Sequence, residues 1–335
     1  MIEARERATL SPHAVLAEST RGRAIAESEH EYRTCFQRDR ERILHSKAFR
    51  RLKRKTQVFL AAEGDHYRTR LTHTLEVAQI SRAAARALSL NEDLTEAIAL
   101  GHDLGHAPFG HAGEAVLNSA STCGFVHSDH SVRICEKLES RTKGPGLNLT
   151  LETLDGIRNH SKGKVILYGQ RAGRALTHEG NVVSVCDAIA YINHDIDDAC
   201  RAGIITLADL PQDALDLLGR TSSKRINAMV LGLIQGSQDG EIDIVPDVRE
   251  AMTSLRTYLY KNVYPCDLIK VQVDRANKII REMFEYYLEN PTPESSHGDP
   301  EETLERRTID FIAGMTDQYA IQHYARHFLP TAWNG

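Results

Sequence analysis

At 335 residues, 41% hydrophobic and 26% charged, the chain has the make-up of a globular protein with ample core. That excludes disorder, collagen-like repetition and low complexity as its main character. No apolar run approaches the roughly 18–20 residues of a membrane-spanning helix, and the N-terminus is charged from its third residue with no apolar signal core, so a cytoplasmic location is expected. The six cysteines (Cys35, Cys123, Cys135, Cys186, Cys200, Cys266) lie apart with no CxxC pair, which argues against a zinc knuckle or a disulfide framework and fits a reducing compartment.

In chain order the expected elements are nearly all helical. Residues 31–52 read as a charged amphipathic helix. The stretch 31–55 holds ten Lys and Arg against three Asp and Glu, so its +7 leaves −12 for the remainder of a chain whose total is −5. Such a segment is either a solvated helix face or an attractor of polyanions, whether a nucleotide phosphate chain or nucleic acid. TQVFLA at 56–61 carries a strand pattern. Residues 70–88 form an Ala-rich helix with Leu71, Leu75, Ala78 and Arg82 near one face. Asn91 is the expected N-cap of LNEDLTEAIALGHDLG, with acids in its first turn and Gly101 and Gly105 bracketing its end. Further helices are expected at about 110–119, 129–140, 150–159, 181–202, 221–235, 247–262, 268–289 and 301–328, and EIDIV at 241–245 is the second strand candidate. Turns fall at KGPG (143–146), SKGKV (161–165), SQDG (237–240) and the polar loop NPTPESSHGDP (290–300). With no internal repeat and no linker, the expected fold class is all-α. The expected organisation is one helical domain over 1–335, with a histidine-rich core at about 60–200 and a C-terminal helical extension at about 205–330.

Five of the sixteen histidines (His102, His106, His111, His127, His130) fall within 29 residues. The adjacent pair His102-Asp103 at a helix end can present an imidazole nitrogen and a carboxylate oxygen to one divalent cation. His73 interrupts a helix that is otherwise apolar on that side. Asp187 directly follows the buried-looking run Val182, Val183, Val185, and burying a lone carboxylate costs several kcal/mol unless it is paired, hydrogen-bonded or bound to metal. Arg70, one turn before His73, is placed to clamp phosphate bidentately. Singly, each residue has a plainer reading: a chance dipeptide, a core histidine, a salt-bridge partner. The joint order H…HD…D on separate helical segments is far more specific.

That set resembles the HD-domain metal-dependent phosphohydrolases and, within them, the bacterial deoxyguanosinetriphosphate triphosphohydrolase-like proteins, or dNTP triphosphohydrolases. The blocks RDRERILHSKAFRRLKRKTQVF (38–59), GDHYRTRLTHTLEVAQI (64–80), EDLTEAIALGHDLGHAPFGHAGE (92–114), DAIAYINHDIDDA (187–199) and RRTIDFIAGMTDQYA (306–320) extend the resemblance over most of the chain. It implies a helical fold, a divalent metal ion (Mn, Mg, Fe, Zn or Ni) held by His73, His102, Asp103 and Asp187, and attack of a metal-associated water or hydroxide on the α-phosphorus of dGTP or a broader set of dNTPs. The P–O5′ bond breaks, giving deoxynucleoside and intact triphosphate. The 5′-oxygen is a poor leaving group and calls for a general acid. His111 is the best candidate and matches the family's catalytic histidine. Glu114, three residues on, shares its helix face and can orient the imidazole, and His106 and His127 are candidates for α-phosphate contact or proton transfer.

Tyr191 and Asp195 follow Asp187 at i+4 and i+8 on one helix face. The resemblance implies that Tyr191 packs on the deoxyribose, disfavouring a 2′-hydroxyl, that Asp195 accepts from the 3′-hydroxyl, and that Gln57 touches the sugar. Lys261 is a weaker phosphate-binding candidate. The chain departs from the family pattern FxHNxQS, reading Phe125-Val126-His127-Ser128-Asp129-His130-Ser131, with Ser128 and His130 in place of amides. The basic segment aligns with the family's RDR…FRRL block, which points to a subunit interface of a homo-oligomer or to phosphate contacts, with nucleic-acid binding secondary. Two other functions compete. One keeps the metal site but acts on nucleoside monophosphates or cyclic nucleotides. The other is a regulator that binds nucleotides or single-stranded nucleic acid with little turnover, and its binding would weaken steeply with salt.

Overall fold

The computed structural model describes residues 2–57, 68–142, 144–162, 174–237 and 240–330. The longest helices run at Arg70–Ala87, His178–Arg201, Ser222–Gly236, Pro246–Tyr258 and Asp267–Glu289, and shorter ones fill most of the rest. The fold is all-α, as its sequence pattern indicates. Its one small sheet among the described residues pairs Ser140–Arg141 antiparallel with Gly144–Pro145, so two residues of the turn expected at 143–146 are strand, and 143 lies outside the described residues.

Local side-chain chemistry sets the helix ends. The Asn91 carboxamide accepts from the Asp93 and Leu94 amides and starts Glu92–Gly101. Thr69 and Thr72 form a reciprocal cap at the start of Arg70–Ala87. The same chemistry divides two helices expected to be continuous. The 31–52 stretch becomes Cys35–Leu44 and Lys47–Arg51, because Ser46 accepts from the Phe49 amide and opens a new helix. The 301–328 stretch becomes Leu304–Ala313 and Asp317–Phe328, restarted by Thr316. Helices at Ile2–Thr9 and Gln212–Leu218 were not anticipated. EIDIV forms no ladder: Ile242 and Ile244 are buried while Glu241 is exposed, so its two-residue alternation serves packing in the core instead of strand pairing. Of TQVFLA, Thr56 makes an isolated bridge with Thr69, and 58–61 lie outside the described residues, as do 163–165 and 238–239 of two expected turns.

The Arg70–Ala87 helix buries His73, Thr74, Val77, Ala78, Ile80, Ser81, Ala84 and Ala85, whereas Leu75 is 49% exposed. Leu71 packs against the core and Ala78 is buried as expected, but Leu75 is not, and the packed face is completed by Val77, Ile80 and a row of small residues that lets neighbouring helices approach closely. One neighbour is His178–Arg201. That helix is buried along most of its length, polar residues included, and is packed against the Arg70–Ala87, Glu92–Gly101, Leu151–Asn159 and Ser222–Gly236 helices. It carries Asp187 into the centre of the molecule. The larger apolar core runs from Ala17 to Val263 in sequence, and a smaller one joins 107–125 to 276–320.

The basic segment is split in two. Arg38 and Arg42, with Arg141, converge on Glu27, while Arg40 pairs with Asp93 and Glu96 at 2.9 Å. Farther on, Arg50, Arg51, Lys53 and Arg54 line a surface hollow of about 430 Å³ with Tyr319 and neighbours. All six cysteines are free. Among the described residues no helix is long and apolar enough to cross a membrane.

Candidate active site

Four side chains from three helical segments meet at the centre. His73 Nε2 lies 3.0 Å from Asp187 Oδ1, and His102 Nε2 lies 3.4 Å from Asp103 Oδ1 and 3.7 Å from Asp187 Oδ1. His73 and His102 are 1% and 0% exposed. The turn after Glu92–Gly101 is held against the His127–Arg133 helix by Ser131, whose hydroxyl donates to the His102 carbonyl and accepts from the Gly105 amide, each at 2.8 Å. Only glycine fits at 105, because a Cβ there would collide with the Ser131 amide and the His127 carbonyl.

Hydrogen bonds to the far ring nitrogens fix the tautomers. His102 Nδ1 is 2.6 Å from the Ala99 carbonyl, a pure acceptor, so Nδ1 carries the proton and Nε2 offers a lone pair. That Nε2 is buried and has no hydrogen-bond partner. His73 is set by a longer relay. His194 Nε2 lies 2.6 Å from the Glu76 carboxylate, and His194 Nδ1 lies 3.2 Å from His73 Nδ1. Burial holds His194 below its ordinary pKa, against the pull of the Glu76 carboxylate. A neutral His194 that donates to Glu76 and accepts from His73 leaves the His73 Nε2 lone pair facing the Asp187 carboxylate. Arg70 offsets one of the two carboxylate charges, and two imidazoles and two carboxylates converging in a buried place form a nitrogen–oxygen donor set that suits a divalent metal. Burial works against the charge on Asp103, but His102, His106 and Arg70 together hold its pKa well below the usual range.

Beside this centre lie His106, His111, Glu114 and His127, whose ligand-type atoms are within 4.8 Å of one another. His106 and His127 stack at 4.0 Å. Glu114 accepts from His111 Nδ1 at 3.0 Å and from the His127 ring and amide at 2.9 Å. Burial opposes its charge, yet these bonds keep its pKa far below the ordinary range. Burial also lowers His106, with Arg70 adding to the effect. By contrast the His111 side chain is 63% exposed.

The other sequence-derived site residues fall as follows. Arg70 is 2% exposed, and its guanidinium donates to Asp103 Oδ2 at 2.7 Å and towards the Gln57 carbonyl. It therefore backs a carboxylate instead of standing open as a phosphate clamp, a change from the sequence expectation that follows from its place at the buried start of the helix. Gln57 is buried, with Oε1 unpartnered. Asp195 is buried and accepts from the Tyr264 hydroxyl, and Tyr191 lies with its ring 6.3 Å from that of Tyr264. Burial pushes the Asp195 carboxyl up to about 8. Lys261 is exposed on the π-helical turn Leu259–Val263 that leads into Tyr264, and among the described residues no hydrogen bond or ion pair joins it to the centre. The two departures from the family pattern, Ser128 and His130, are both buried; the His130 ring nitrogens have no hydrogen-bond partner, and Nδ1 lies 3.7 Å from Asp310 Oδ1.

Sequence reasoning missed His160, His194, Glu76, Tyr264, Lys55 and Asp317. His194 had a signal: it stands seven residues after Asp187 and shares its helix face. Lys55 is buried and donates to the His106 and Ala313 carbonyls, and burial lowers its pKa to about 7. Asp317 accepts from the Thr56 amide at 2.7 Å and from the Phe109 amide at 3.0 Å. The pair ties the C-terminal helices to the turn before His111, where Phe109 and Gly110 both have positive φ (62° and 59°).

Two family models match the chain: the HD domain over residues 70–192 and the phosphohydrolase-associated domain over residues 242–326. The first range holds all four central side chains. The chain is 50% identical to a deoxyguanosinetriphosphate triphosphohydrolase-like protein of Caldanaerobacter subterraneus subsp. tengcongensis, covering 97% of this chain and 94% of that one. Proteins of the same name from Desulfatibacillum aliphaticivorans and Clostridium perfringens (strain SM101) are each 46% identical, with 98% of this chain and 97% of theirs covered. A solved structure of a hypothetical protein from Aquifex aeolicus has a TM-score of 0.51 at 18% identity over 85% of this chain and 67% of that chain, a likeness of fold alone.

Proposed function

The chain belongs to the deoxyguanosinetriphosphate triphosphohydrolase-like proteins, HD-domain phosphohydrolases, and on that footing we propose that it hydrolyses deoxynucleoside triphosphates, dGTP or a broader set, at the α-phosphorus. Water adds to phosphorus, the P–O5′ bond breaks, and deoxynucleoside and intact triphosphate leave. The observation that carries this reading is the meeting of fixed imidazole lone pairs and two carboxylates beside a His–Glu pair open to solvent.

His73, His102, Asp103 and Asp187 would hold a divalent ion. Bound there, the ion supplies Lewis-acid polarisation of a phosphoryl oxygen and lowers the pKa of water from about 15.7 toward about 7. His111 protonates O5′ as it leaves, a role worth roughly 10²–10⁴-fold. Glu114 engages its Nδ1 and leaves Nε2 available for that transfer. His106 and His127 contact the α-phosphate, Arg70 steadies Asp103, and Lys261 offers an exposed charge to the phosphate tail. Tyr191 lies against the deoxyribose, while Gln57 and a protonated Asp195 bond its hydroxyl.

The test is to incubate the protein with each dNTP and matching ribonucleotide in H₂¹⁸O, with Mn²⁺ or Mg²⁺, and resolve the inorganic products. Triphosphate carrying the label, from at least one dNTP, is the expected result. Orthophosphate or pyrophosphate as the sole inorganic product, or label in the nucleoside, would contradict the bond assignment.

A further inference from the structure

Asp317 has no part in the reading above, yet its one carboxylate joins two structures that border the centre. It is the first residue of the Asp317–Phe328 helix and is buried. Its Oδ1 accepts from the Phe109 amide at 3.0 Å, and its Oδ2 accepts from the Thr56 amide at 2.7 Å and from the Thr56 hydroxyl. Thr56 is bridged in turn to Thr69, the cap of the helix that carries Arg70 and His73, and the Arg70 amide donates to the Lys55 carbonyl at 3.0 Å. Phe109 belongs to the turn from which the His111–Ala120 helix starts. The carboxylate therefore clasps the start of the helix bearing His73 to the start of the helix bearing His111.

The Phe109-Gly110 turn needs such a hold. Phe109 has a φ of 62°, a left-handed backbone that a residue with a Cβ adopts only at a cost. At Gly110 a Cβ would come within 2.7 Å of the Arg70 guanidinium, itself fixed on Asp103. The turn is thus pressed against Arg70 in a conformation it does not favour, and without the bond to Asp317 it is free to relax away. The His111 side chain is 63% exposed, so packing around the ring does not fix its place. Glu114 orients the ring and ties the helix to the His127 amide on one side; the clasped turn holds it on the other.

We propose that Asp317 is a positioning residue for the reaction: by holding the turn before His111 against the start of the Arg70–Ala87 helix, it sets the reach of the His111 imidazole to the leaving 5′-oxygen. A helix at the far end of the chain thereby takes part in the chemistry without touching substrate. The proposal rests on His111 acting as the acid in dNTP hydrolysis.

In the full-length chain, Asp317→Ala should lower kcat for a cleaved dNTP about 10²-fold, the cost of misplacing a reacting group by about 1 Å, with KM and bound Mn²⁺ unchanged. Asp317→Asn keeps one acceptor oxygen and should recover part of that loss; it carries the comparison if circular dichroism shows the alanine variant unfolded. The deciding readout is a double-mutant cycle with His111→Gln. Acting through His111, the Asp317 substitution should lower kcat in the native background and change it by less than about twofold in the His111→Gln background. Equal falls in both backgrounds, a raised KM with kcat unchanged, or lost Mn²⁺ would make Asp317 a structural anchor only and overturn this proposal alone. A native chain that releases no triphosphate, or a His111→Gln chain with undiminished kcat, overturns the underlying reading with it.

Discussion

Two carboxylates on one helix face have been driven in opposite directions. Asp187 and Asp195 lie two turns apart on His178–Arg201. Burial alone would raise both. At Asp187, the neighbouring His73 and His102 outweigh burial and hold the carboxyl below its ordinary range. At Asp195, burial wins, the neighbouring Asp198 adds to it, and the group rises to about 8 despite the Tyr264 hydroxyl. One end of the helix thus keeps an anion suited to a cation, and the other a neutral acid suited to a hydroxyl. The lesson is that environment, not residue type, divides the roles.

The sharpest way to break that contrast is to neutralise each end. Asp187→Asn should lose bound metal, and turnover should fall by about 10³-fold or more, since the ion's contribution is several kcal/mol at about 1.4 kcal/mol per tenfold. Asp195→Asn mimics the protonated acid and should keep its metal, raising KM for a dNTP about tenfold through one lost or altered hydrogen bond. Metal analysis and steady-state kinetics on both variants decide; equal metal loss would erase the distinction. His194→Ala tests the support behind the anionic end. Without the relay from Glu76, His73 is no longer held in one tautomer, and metal affinity should drop roughly 10–100-fold, read by competition with a chromophoric chelator. The last test concerns stability. The folded pKa of Asp195, about 8, exceeds an unfolded value of about 3.9. Its contribution is therefore fully present below about 3.9 and is lost as pH rises through about 8. Thermal unfolding of metal-free protein from pH 5 to 9 should show the native chain losing stability relative to Asp195→Asn, and parallel curves would contradict the raised pKa.

Much of this was legible in the chain itself, for local reasons. The Asn91 cap, the Ala-rich 70–88 helix and the order His73, His102-Asp103, Asp187 are written in short spacings that chemistry makes recognisable. Helix breaks at Ser46 and Thr316 were readable in principle, since both side chains are common caps, but the amphipathic pattern across them concealed the interruption. What could not be read is pairing at long range. Nothing near Arg70 says that Asp103 lies behind it, and nothing near His160 says that it faces His127. Asp317, which grips the turn before His111 from the far end of the chain, gives no local sign of that task.

The central claim is that the His73 and His102 lone pairs exist to bind an ion together with Asp103 and Asp187. Anomalous X-ray diffraction from crystals grown with Mn²⁺ measures this directly. A peak bonded to His73 Nε2, His102 Nε2 and both carboxylates at about 2.0–2.3 Å is expected. Those nitrogens hydrogen-bonded to water, with no ion among the four side chains, would contradict it.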